Sequence, residues 1–242
     1  LYTLQFRYYT GTENSSAVTR DILLDGVLPF RESAEISLTQ FWQDAEKEPQ
    51  YDRSGHEIRS RQQQISRWNT AYAENPSSGI SGALQYYLSA GPHTITLTPK
   101  SGCLTLSRII LSGKEEIPSY SNVSSEYKEQ NLQSASASSN QRIEAEGADT
   151  LKSDQTLVSL NDRTSPSVKP YNVNLVRYNS IGAGQWQVVG QWLEWSVDIP
   201  ESGLYQIGAH YKQNIKTNAS SMRELTIDGK LPFSETASIE FP

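Results

Sequence analysis

The stretch LYTLQFRYYT (residues 1–10), continued by DILLDGVLPF (21–30), occurs a second time as LYQIGAHYKQ (204–213) and ELTIDGKLPF (224–233). Residues 1–39 and 204–242 align without a gap, and Tyr2/Tyr205, Tyr8/Tyr211, Arg20/Arg223, Asp25-Gly26/Asp228-Gly229 and Leu28-Pro29-Phe30/Leu231-Pro232-Phe233 recur in register. An internal repeat sets the architecture and is read first. Each copy holds two runs of period-two alternation: Tyr2/Leu4/Phe6/Tyr8 then Ile22/Leu24, and Tyr205/Ile207/Ala209/Tyr211 then Leu225/Ile227. That period belongs to strands with one buried face. Asp-Gly closes the second strand with a dipeptide suited to the positive φ of a tight turn. The first copy begins at the first residue and the second runs to the last, the pattern expected of a repeat unit cut at both ends.

Length and composition limit the function classes. With 242 residues, 36% hydrophobic content, thirteen Tyr and five Trp, and a mean hydropathy of −0.57, the chain has the profile of a polar, aromatic-rich β protein. A net charge of −6 without a Lys/Arg cluster argues against nucleic acid as partner. No apolar run is long enough to expect membrane insertion. The lone Cys103 excludes an internal disulfide framework, so an extracellular setting would be bacterial or otherwise independent of disulfides. Asn14-Ser15-Ser16 and two similar triplets fit the glycosylation pattern, which so Ser-rich a chain meets by chance.

Along the chain, Ile36 and Leu38 extend the first copy toward Phe41 and Trp42, after which the pattern changes. Ile58, Ile65, Trp68 and Tyr72 fall near a helical stripe, with Asn75-Pro76 as its stop, so a helix is expected over 57–73 within an insertion at about 44–82. Strands are expected at 83–88, 94–98 and 104–111. Residues 113–140 read as a Ser-rich linker with a helical turn near 123–127. A second unit opens with Ile143-Glu144-Ala145-Glu146, with strands at 156–160, 175–178 and 190–199. The expected organisation is the back of one β module at 1–112, the linker, and the front of a related module at 141–242.

Taken in order, Ile143-Glu144-Ala145-Glu146, GQWLEWSVDIP (190–200), Gly203-Leu204-Tyr205, the Arg strand with its Asp-Gly turn, AGPHTITL (90–97) and a final apolar strand resemble the family 6 and family 35 carbohydrate-binding modules. Such modules accompany bacterial extracellular solute-binding proteins and glycoside hydrolases. The resemblance implies an all-β, galactose-binding-like jelly-roll sandwich, here with one helical insertion, and a non-catalytic role in binding an oligo- or polysaccharide outside the cell. The structural or interaction module is the rival reading. The resemblance also implies a structural Ca²⁺ held by Glu144 and Glu146, whose spacing on a strand puts both carboxylates on one face. The chain departs from the family at Ser107 and Thr105, where an Asp of the calcium site and an Asn of the sugar pocket would stand.

Stacking of aromatic faces on a pyranose, flanked by polar groups, makes Trp186, Tyr178 and Asn179 the expected ligand-binding residues, with Trp42 on the opposite approach. Trp68 and Tyr72 are assigned to seating the inserted helix, and Arg20 and Arg223 to reaching carboxylates from the sandwich. No zinc spacing and no base for a nucleophile are visible, so no enzyme activity is expected. A half sandwich would expose apolar surface and open edges, so two expectations stand side by side: residues 141–242 complement 1–112, within one chain or as a strand-swapped homo-oligomer, leaving one copy of the repeat displaced, or the chain is an excerpt of a longer tandem protein whose missing halves complete both modules.

Overall fold

The computed structural model describes residues 1–14, 17–80, 82–113, 115–213 and 218–242. It is an all-β protein with several antiparallel sheets and divides into two compact units, one of Leu1–Lys114 with Ile143–Ser196, the other of Glu115–Arg142 with Val197–Pro242. The first unit contains β1 (Tyr2–Thr10), β2 (Val18–Leu24), β3 (Ile36–Leu38), β4 (Phe41–Asp44), β5 (Gln50–Tyr51), β6 (Glu57–Ile58), β7 (Gln62–Ile65), β8 (Arg67–Tyr72), β9 (Gln85–Tyr86), β10 (Ile95–Ser101), β11 (Thr105–Gly113), β12 (Leu151–Lys152), β13 (Ser159–Leu160), β14 (Ser180–Ile181) and β15 (Leu193–Glu194).

The first copy of the repeat builds the core. β1 is central in a sheet of order β11-β1-β8, with β9 on the same strand, and β2 is central in a sheet of order β10-β2-β3. Leu4, Phe6 and Tyr8 of β1 and Val18, Ile22 and Leu24 of β2 lie on inward positions and share one apolar core with Ile36, Leu38 and Tyr86. At roughly 1.5–3 kcal/mol for each sealed large side chain, this interdigitated layer dominates the unit's stability. The buried Tyr8 hydroxyl donates to Thr39 O and accepts from Asn69 Nδ2, both at 3.2 Å. Burial raises its pKa above the ordinary tyrosine value.

The helix expected over 57–73 is replaced by strands β6, β7 and β8. Ile65 ends β7, opposite Phe41 of β4, whereas Trp68 and Tyr72 alternate along β8 opposite Tyr9 and Gln5 of β1. With Ile58 on β6, the helix-like spacing therefore came from side chains on three different strands. Long-range pairing with β1 and β4 supplied the hydrogen bonds that the local stripe could not.

Residues 143–196 add to the same unit by extending a sheet of order β15-β12-β4-β7. Lys152 is the register partner of Trp42 on β4, and Arg67 Nη1 lies 3.0 Å from Glu194 Oε1. Residues 143–146, expected to be a strand, run irregularly into a turn in which Gly147 N donates to Glu144 O at 3.1 Å. Only Leu193 and Glu194 of the expected strand at 190–199 are paired as a strand.

The second unit contains the single α-helix among the described residues, α1 (Tyr120–Glu129), and the pair β16 (Ser221–Arg223) and β17 (Ile239–Phe241). Glu235 Oε2 accepts from Tyr120 N at 2.8 Å, placing a carboxylate at the positive end of the helix dipole. That bond is the first cause of the carboxyl's lowered pKa. The second repeat copy lies here. Ile207 and Tyr211 are 68% and 47% exposed, whereas their counterparts Leu4 and Tyr8 are 1% and 0% exposed. Among the described residues no helix is long and apolar enough to cross a membrane.

Candidate functional site

The residue types suited to ligand binding gather on the outward face of the β11-β1-β8 sheet. β1 alternates strictly, so sealing Phe6 and Tyr8 turns Gln5, Arg7 and Tyr9 outward. Register then fixes their neighbours. Tyr9 stands opposite Trp68 on β8 and Thr105 on β11, and Arg7 stands opposite Thr70 and Arg108. Directly opposed residues share a face. Trp68 is 43% exposed, and its ring lies 5.7 Å from that of Tyr9, tilted by 49°. The Arg7 guanidinium is 5.7 Å from the Trp68 ring centroid and donates to Thr70 Oγ1 at 3.4 Å. Aromatic rings thus stand beside a guanidinium, a hydroxyl and an amide.

Tyr9 also joins this face to an open cleft of about 300 Å³ lined by Tyr9, Gly11, Glu13, Cys103, Leu104 and Thr105. One wall is the 101–104 turn, which is held from below. Arg20 donates from Nη1 to Thr19 O and Ser101 O, both at 2.7 Å, and from Nη2 to Gly102 O at 3.1 Å. Its head therefore reaches carbonyls rather than the carboxylate expected from the sequence, and burial lowers its pKa. Asn14 grips the same turn by donating from Nδ2 to Cys103 O at 3.1 Å and accepting from Cys103 N. Asn14 is thereby buried, although Ser15 and Ser16 of its glycosylation triplet lie outside the described residues. Gly102 sits at φ +71°, and a Cβ there would come within 2.8 Å of Val18 Cγ2. Glycine is required by both conformation and space.

The residues singled out in the sequence are distributed differently. Tyr178 and Asn179 precede β14, and Trp186 follows it. Tyr178 N donates to Glu57 Oε2 at 3.0 Å, and the Arg59 guanidinium covers its ring at 5.0 Å. Asn179 is buried, with Nδ2 donating to Asp162 O and Pro170 O at 2.9 Å and Oδ1 accepting from Asp162 N at 2.8 Å. Its amide organises the loop beneath it. Trp186 is half-buried, and its indole N–H donates to Gln191 O at 3.3 Å. Trp42 lies on β4, in the sheet with β12 and β7. Glu144 precedes the turn that contains Glu146, so the strand geometry that would align their carboxylates is not present. Among the described residues no three His, Cys, Asp or Glu side chains are grouped to hold a metal ion.

A Ser–His–Asp contact forms where the sequence suggested none. His93 Nδ1 is 2.7 Å from Asp25 Oδ2, and Nε2 is 3.3 Å from Ser89 Oγ and 3.0 Å from Ser89 O. Both ring nitrogens face acceptors, so the doubly protonated ring is favoured, and the Asp25 hydrogen bond is the first cause of its raised pKa. The contact fastens the turn after β2 to the entry of β10.

Sequence reading missed Arg7, Tyr9, Trp68 and Arg108. Their available signal was alternation on β8, where outward Trp68, Thr70 and Tyr72 are interleaved with Asn69 and Ala71. The inward residues are small or polar, which hid the period. Comparison with protein-family models, curated proteins and solved structures finds no match to the chain.

Proposed function

We propose that this chain is a non-catalytic carbohydrate-binding module of jelly-roll type, belonging to a bacterial extracellular protein that handles glycans. The observation that carries the reading is the Trp68–Tyr9 pair, turned outward from a sheet whose other face is sealed by the core. Exposed aromatic rings offer the apolar face that a pyranose stacks against, and Arg7, Thr70, Gln5 and Glu13 supply donors and acceptors for its hydroxyls. The open form of the site suits an oligosaccharide lying along the sheet and weak affinity, because few rings are buried. The test is a glycan array probed with the intact chain and with Trp68→Ala. Retention of specific sugars by the wild type and their loss from the variant supports binding at this face; an array with no retained sugar removes the reading. Calcium beside Glu144 and Glu146 belongs to the same proposal as a structural ion, and an unchanged thermal midpoint on chelation removes it.

The second reading is an interaction module in which another copy of the chain covers the second repeat by strand swapping. The exposure of Ile207 and Tyr211, at positions sealed in the first copy, favours it. Light scattering over a concentration series decides, since a monomer at all concentrations excludes it.

A further inference from the structure

Arg7 of β1 and Arg108 of β11 are directly opposed in the antiparallel register. They therefore share the outward face, and like charges placed this way oppose strand pairing. Glu13 lies in the cleft beyond Tyr9, outside these three strands. By register, none of the outward positions on β1, β8 and β11 is Asp or Glu. Among the described residues, neither guanidinium is in an ion pair. Arg7 donates to the neutral Thr70 hydroxyl, and Arg108 is exposed on the next strand. This cationic row is one step along the sheet from the Trp68–Tyr9 row, a separation of two residues on one strand, or roughly 7 Å.

We propose that the ligand of this face is an anionic saccharide, with a sugar ring against Trp68 and its carboxylate or sulfate between Arg7 and Arg108. The inference rests on the sugar-binding reading above and adds the charge of the sugar. Guanidinium groups recognise planar or tetrahedral oxyanions through paired N–H donors, and two of them around one anion convert an unfavourable pair into a binding site. The net charge of −6 disfavours a long polyanion such as a nucleic-acid backbone, so a short charged saccharide fits better.

The experiment titrates the intact chain with hexagalacturonate and its methyl ester, and with a sulfated carrageenan hexamer and its desulfated form. Each pair keeps the sugar backbone and removes the charge, and the two pairs separate carboxylate from sulfate. At least one anionic member is expected to bind about tenfold or more tightly than its neutral counterpart, with the advantage falling as salt rises. The Arg7→Gln/Arg108→Gln double variant should erase that advantage, so that the anionic and neutral members of each pair bind alike. Its thermal midpoint should stay near that of the wild type, which shows that the variant folds. Neutral members binding as tightly as anionic ones, or an anionic preference that survives the double variant, would overturn the inference alone. Failure of all four probes, together with an empty glycan array, would overturn both it and the sugar-binding reading; failure of all four beside an array that retains only neutral sugars would overturn the inference alone.

Discussion

Lys152 and Asp44, 108 positions apart in the chain, form an ion pair in which the lysine side chain is 0% exposed and the aspartate 7%. Gln62 completes the contact, accepting from Lys152 Nζ at 3.0 Å and donating to Asp44 Oδ1 at 2.6 Å. The pair links β12 to β4 and β7, so residues from the two halves of the sequence share one sheet.

Removing one partner of this pair leaves a sealed charge without its counterion. Lys152→Met should therefore cost about 3–5 kcal/mol, measured by urea unfolding of the intact chain. Adding Asp44→Leu should recover most of the loss, because the uncompensated carboxylate is then gone. Equal stability of wild type and Lys152→Met would show that β12 is not docked on β4.

Asn179→Ala should weaken the fold around residues 162–170 without changing sugar affinity. Three amide hydrogen bonds are lost there, and leaving buried partners unsatisfied costs about 1–3 kcal/mol. Faster proteolysis in that loop, with an unchanged binding isotherm, is the expected pair of results.

The turn clamp at His93 should respond to pH in both directions. His93 has a raised pKa, so its contribution is complete below the ordinary histidine value near ~6.5 and is lost as pH rises through the raised folded value. Asp25 has a lowered pKa, first because Thr94 N donates to its carboxylate, so its contribution is present above about 3.9 and is lost as pH falls through the lowered folded value. Protection of the Thr94 amide, taken relative to its intrinsic exchange rate at each pH, should be greatest between these limits. Asp25→Asn should return the His93 titration toward its ordinary midpoint.

The first repeat was legible because its inward residues are large and apolar at period two: Leu4, Phe6 and Tyr8 are sealed where alternation placed them. β10 and β11 overlap the strands read at 94–98 and 104–111 for the same reason. The second copy carries a similar pattern at Tyr205, Ile207 and Tyr211, yet among the described residues its paired strands are only β16 and β17. Alternation records which face could be buried; it does not supply the neighbouring strand. The candidate face was harder to read. Arg7 and Arg108 become opposed only through a register spanning β1 and β11, and Trp68 joined a false helical stripe. Asn179, chosen for its sugar-binding chemistry, uses that chemistry on its own loop.

The most direct measurement is calorimetric titration of the intact chain with an array-selected oligosaccharide, in parallel with Trp68→Ala and Trp186→Ala. Loss of the Trp68 platform is expected to weaken binding about tenfold or more, equivalent to about 1.4 kcal/mol, whereas Trp186→Ala should stay within about twofold because that ring is outside the sheet face. Undiminished affinity in Trp68→Ala, with loss in Trp186→Ala, would contradict binding at the β11-β1-β8 face and place the sugar beside β14.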